Sequence, residues 1–135
     1  MKMKAQVITY AEGEDPKQKV MDALGDALKG VHVYGNRVLV ATAPHKDRSA
    51  GGIILTDKMI EEERYQGKVG LVLALGPAAF KYDGSFEWEG RKPDIGSWVF
   101  FRTPDASEFG LHGVSCRFIR DELIVGEVDG PGSIW

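Results

Sequence analysis

Five short runs of branched and aromatic residues, each closed off by turn-forming residues, set the main constraint on this chain. They are Arg37–Thr42 (RVLVAT), 67–75 (GKVGLVLAL), 97–101 (SWVFF), 114–119 (VSCRFI) and 123–128 (LIVGEV). Between them stand Gly76-Pro77, Asp83-Gly84, Pro93-Asp94 and Thr103-Pro104-Asp105, residues that favour the backbone conformations of tight turns. Strands this short, interrupted this often, argue for an all-β barrel or sandwich. The run 97–101 is almost continuously apolar, as expected of a strand buried on both faces. Gly70 lies inside the second run and is expected to mark a bulge. A chain of 135 residues, 43% of them hydrophobic, suits one domain with a real core.

The first thirty residues have a different texture. Residues 5–11 alternate weakly and read as a short strand. The stretch DPKQKVMDALGDALKG follows. Asp15 suits an N-cap and Pro16 the first helical position, where its missing N–H costs nothing. Val20, Leu24 and Leu28 recur every four residues, and Gly30 supplies a stop, so the pattern predicts an amphipathic helix containing Gly25. Alone it would be marginal in water. It requires a surface, either its own domain or a partner.

Several function classes are disfavoured. The net charge is −3 and no Lys/Arg cluster stands out, so nothing points to nucleic acid or an anionic membrane. A single cysteine, Cys116, forbids an intramolecular disulfide and fits a reducing compartment. No apolar run approaches the roughly 18 residues of a membrane span, and the N-terminal stretch lacks a signal-peptide apolar region. A cytoplasmic protein is expected. His32, His45 and His112 are scattered, with no metal-ligand spacing, nucleophile motif or phosphate-binding loop. No catalytic residue, metal or other cofactor is therefore predicted. Cys116 reads as a small buried apolar residue.

The stretch DRSAGGIILTDKMIEEERYQG, residues 47–67, stands apart. About twenty residues separate the strand ending near Pro44 from the one starting near Gly67, long for a connection in a compact domain. Three readings compete. Gly51-Gly52 forms a hairpin turn and Ile53-Ile54-Leu55 an ordinary strand; Thr56 caps a short helix stopped by Gly67; or the apolar triplet sits on an exposed loop for something else to bury.

The order and spacing of these pieces resemble the GroES co-chaperonin, or chaperonin-10, family. The resemblance rests on Asn36-Arg37-Val38-Leu39-Val40, then Ser49-Ala50-Gly51-Gly52-Ile53-Ile54-Leu55, then 67–76 (GKVGLVLALG), with IGSWVFF at 95–101 and IRDELIVGEV at 119–128. It covers roughly residues 31–128. The chain departs from the family's pattern where Val33-Tyr34 replace a Pro-Leu pair, Asn36 replaces an aspartate and Ser97 an aspartate. Residues 1–30 have no counterpart in the short bacterial form, which suggests a divergent member, a virally encoded one among the options.

The resemblance implies a small irregular β-barrel, residues 31–129, with a mobile loop and a roof hairpin. An extension (1–30) with one short helix precedes it and a tail (130–135) follows. It implies a heptameric ring in which first and last strands of neighbours pair; 123–128 would supply one, and residues 5–11 or the stretch before Arg37 the other. It implies a mobile loop over roughly residues 45–64 whose Gly51, Gly52, Ile53, Ile54 and Leu55 bind the apical domains of a GroEL-like chaperonin, closing a cavity around a substrate protein. Phe80, Tyr82, Phe86 and Trp88 would belong to the roof hairpin, either narrowing the dome opening or simply stiffening the hairpin. Its register stays open, since Asp83-Gly84 favours a two-residue turn whereas Tyr82–Phe86 and Phe80–Trp88 pairing needs three. The competing function is a structural or interaction protein, such as a virion or scaffold component, that keeps the barrel without binding a chaperonin.

Overall fold

The computed structural model describes residues 8–46, 69–81, 92–102 and 108–131. Among these, six strands form one antiparallel sheet: β2 (Arg37–Thr42), β4 (Val69–Leu75), β5 (Trp98–Phe101), β6 (Phe109–Leu111), β7 (Val114–Arg120) and β8 (Ile124–Val128), in the order β6-β7-β2-β4-β5-β8. Two further strands, β1 (Thr9–Tyr10) and β3 (His45–Lys46), pair in parallel as a separate ladder. This is the small all-β, GroES-like architecture expected from the sequence. All five predicted strands are present: 37–42 is reproduced as read, three others differ by one residue at one end, and β4 follows the predicted run over its described residues.

Strand β2 explains how the sheet is buried. Its consecutive residues Val38, Leu39, Val40 and Ala41 are all inaccessible. In a strand, neighbours point to opposite faces, so both faces must be covered. Leu39 and Ala41 join Leu71, Leu73, Trp98, Val114 and Cys116 in one cluster; Val38 and Val40 join Val72, Val99, Phe101, Ile119 and Ile124 in the other. The second cluster is completed by Ala79 and Phe80. The first is completed by the N-terminal helix.

That helix, α1 (Pro16–Leu24), begins as the sequence dictates. The Asp15 carboxylate accepts from the Lys17 N–H at 3.0 Å and Pro16 occupies the first turn. Its end differs from the sequence reading. The helix stops at Leu24, and Gly25, not Gly30, is the cap; at φ 55° Gly25 donates its N–H to the Met21 carbonyl. A positive φ is strained for residues with a Cβ and open to glycine. The chain continues through a 3-10 turn at Ala27–Gly30, which keeps Leu28 packed on the same cluster. Val20 and Leu24 are 0% exposed within the first cluster, each burial contributing roughly 1.5–3 kcal/mol. Of the two surfaces open to this helix, it takes its own sheet.

Two other expectations change, and one strand is new. Register slips occur not at Gly70 but opposite Leu39/Val40, where β2–β4 leaves Leu73 as the extra residue, and at Phe100/Phe101, where β5–β8 leaves Val125. Gly70 keeps regular register; a Cβ there would lie 3.0 Å from both the Ala41 carbonyl and Phe101 Cε1, so glycine permits Phe101 to lie against the backbone. Phe100, expected inside a doubly buried strand, is 39% exposed; it pairs with Gly126, which has no side chain to cover it. Strand β6 was not legible at all. It is joined to β7 through His112 (φ 50°) and Gly113 (φ 80°), the two successive positive φ values of a tight hairpin turn.

Candidate functional site

The residues singled out for partner binding, Gly51, Gly52, Ile53, Ile54 and Leu55, lie outside the described residues, as do Tyr82, Phe86 and Trp88. The structure does describe the frame from which both segments spring.

Segment 47–68 leaves from β3 and returns at β4. Just ahead of β3, the Ala43 N–H donates to the Val69 carbonyl at 3.1 Å, so the chain meets the start of β4 shortly before the segment begins. Beside this junction the Thr42 hydroxyl bonds the Ser115 hydroxyl at 3.0 Å, tying the end of β2 to β7. Pro44 is buried. Beyond it His45–Lys46, expected at the start of the loop, is strand, paired as Thr9↔His45 and Tyr10↔Lys46. The ordered frame thus extends two residues into the region 45–64 that the resemblance assigned to the loop. A sheet edge offered by the extension captures the backbone there.

Segment 82–90 springs from a different anchor. Phe80 is 3% exposed and belongs to the second core cluster, so the one described member of the predicted roof set points its ring into the barrel core. It holds a positive φ of 59°, unusual for a bulky residue. Its N–H donates to a carboxylate oxygen of Asp121 at 2.9 Å. The other oxygen of Asp121 accepts from the Asn36 side-chain amide at 3.1 Å, and the Asp121 N–H donates to the Asn36 carbonyl at 3.0 Å. Asp121 is itself only 3% exposed. A buried carboxylate requires donors on its oxygens, and here they come from the start of β2 and from the root of segment 82–90.

Sequence reasoning missed Asp121. The available signal was Asn36, standing where the resembled family has an aspartate. A carboxylate at position 36 would confront the Asp121 carboxylate at hydrogen-bond distance, whereas an amide donates to it.

Burial, reinforced by the charge of Glu108, pushes the Cys116 thiol up to about 12, which keeps it protonated and unreactive near neutral pH. Glu108 pairs with Arg117 at 3.2 Å. Among the described residues no three His, Cys, Asp or Glu side chains gather as a metal site, and no helix is long and apolar enough to cross a membrane. Ala43, Val69 and Phe80, near the described ends of the chain, are thus tied to the sheet and its core. A family model described as "Chaperonin 10 Kd subunit" matches residues 31–128, the span from the end of the 3-10 turn through β8.

Proposed function

This chain belongs to the chaperonin 10 family, whose members are co-chaperonins working with a GroEL-type chaperonin, and from that premise we propose that it is a ring-forming lid docking through segment 47–68. Ile53, Ile54 and Leu55 enter apolar grooves on the chaperonin's apical domains. Gly51 and Gly52 allow the tight approach. The capped cavity encloses a folding client in the cytoplasm, and the nucleotide cycle belongs to the chaperonin.

The energetics favour many copies. Burying three such side chains yields about 5–9 kcal/mol gross, and ordering a segment on binding costs on the order of 2–5 kcal/mol. The surplus corresponds to roughly millimolar affinity for one copy. Joining copies in a ring makes later contacts intramolecular and raises avidity by roughly 10²–10⁴. The same arrangement permits release, because a modest shift of the chaperonin surface breaks every contact together.

In the ring, expected to be heptameric, β8 pairs with β5 on one side and takes a neighbour's strand on the other. Thr9–Tyr10 is already engaged with β3, so the stretch 31–34 ahead of β2 is the better donor. Such pairing covers edges that would otherwise invite uncontrolled association.

The match over residues 31–128 carries this reading. Ile54→Asp tests it: the variant should keep the ring seen by light scattering, yet lose capture by an ATP-loaded GroEL-type chaperonin and modulation of its ATPase. Capture at wild-type strength removes Ile54 as an anchor. A wild-type ring that no chaperonin captures would turn the assignment toward a structural role.

A further inference from the structure

The extension ahead of residue 31 lies outside the family match, yet it is built into the frame at one place of consequence. Among the described residues β3 has a single ladder partner, β1. The regular sheet pairing of β2 with β4 ends at Thr42↔Gly70, so His45 and Lys46 lie past the edge of the main sheet. What holds their backbone is the extension.

The extension is in turn firmly fixed. Tyr10 is buried. The turn after it is closed by two bonds, Glu14 N–H to the Ala11 carbonyl at 3.0 Å and Ala11 N–H to the Glu14 carboxylate at 2.8 Å. Glu14 also pairs with Lys19 on the helix at 2.9 Å. The helix is then pinned to the sheet through Val20 and Leu24. An unbroken mechanical path runs from the core through α1 and β1 to Lys46, the last described residue before segment 47–68.

We propose that the β1–β3 ladder is a positioning element for chaperonin binding: the extension fixes the direction in which segment 47–68 leaves the barrel. The proposal rests on the binding role assigned to that segment above. The physical advantage is preorganisation, since backbone already ordered in the free protein need not be ordered on docking. Thr9 and Tyr10 act through His45 and Lys46, not by touching the partner.

The test uses the full chain. Thr9 is exposed, so Thr9→Pro imposes a φ of about −65° that disfavours the extended backbone of the ladder without opening the core. Hydrogen exchange at the His45 and Lys46 amides should accelerate while the amides of Val38–Ala41 stay protected. Affinity for an ATP-loaded GroEL-type chaperonin should fall on the order of ten-fold per copy, and further in the ring because every copy carries the change. Thr9→Ala should bind like wild type and Thr9→Gly should fall between. Ile119→Val, a stability control in the cluster away from the helix, should leave binding unchanged. If Thr9→Pro does not fold, the graded comparison of Thr9→Gly with Thr9→Ala decides. Faster exchange at His45 and Lys46 with binding within two-fold of wild type overturns the proposal, as does exchange that fails to rise. A wild-type protein that does not bind the chaperonin overturns instead the reading on which it rests.

Discussion

Replacing Leu24 by alanine measures how far the N-terminal helix is part of the barrel's core. Leu24 is 0% exposed and shares its cluster with Leu39, Leu71, Trp98 and Cys116. Buried leucine-to-alanine changes cost about 2–5 kcal/mol, depending on how far the site can collapse. Leu24 closes the last turn of a helix whose following residue, Gly25, has freedom to adjust, which favours partial collapse and a value near 3 kcal/mol. That is a large share of the roughly 5–15 kcal/mol stability of an ordinary domain. For a chain of this size it lowers Tm by roughly 9–15 °C. The assay is denaturant unfolding at fixed protein concentration, because the proposed ring would couple stability to concentration. The midpoint should drop with the slope unchanged. Met21 on the same helix is 38% exposed, so Met21→Ala should cost well under 1 kcal/mol. Equal, small effects for both variants would refute the docking of the helix.

Two further outcomes follow from the buried polar and sulfur groups. Asp121→Ala strips the acceptor from the buried Phe80 N–H and the part-buried Asn36 amide; a buried donor that loses its acceptor costs about 1–3 kcal/mol and a part-buried one, open to water, about 1, so a loss of roughly 2–4 kcal/mol is expected in thermal unfolding, together with faster exchange at Phe80. The Cys116 thiol is raised in the folded state from 9.0 to about 12. The folded protein therefore retains a proton that the unfolded chain releases above pH 9. Its contribution is complete below that pH and disappears as pH climbs toward 12, with a slope of about 1.4 kcal/mol per pH unit. Comparing wild type with Cys116→Ala between pH 8 and 10.5 should show that slope in the wild type alone. A thiol reagent at pH 8 should label Cys116 only after unfolding.

The parts of this protein legible in its sequence are those written in neighbouring residues. The cap at Asp15 and the five main strands depend on side chains within a few positions of one another, and they emerged from pattern alone. The helix end was misplaced because Gly25 and Gly30 are equally good local stops, and only docking of Leu28 through a 3-10 turn separates them. The β6–β7 hairpin escaped notice because His-Gly is a weaker turn signal than Asn-Gly or Asp-Gly. For the candidate site the family pattern of residues 31–128 was readable, whereas its supports were not. Asp121 meets Asn36 across 85 positions and Phe80 across 41, and nothing local marks it as buried.

The sequence by itself determined five of the strands to within a residue or so, where the helix begins, that the chain is mostly β, and to which family it belongs, because propensity, capping and turn chemistry act over a few residues. Only the tertiary structure decided that the helix seals one face of the sheet, that β1 takes hold of β3 at the root of segment 47–68, and that a buried carboxylate anchors Phe80. Those outcomes depend on which distant surfaces exclude water together, and burial becomes defined only once the chain has closed on itself.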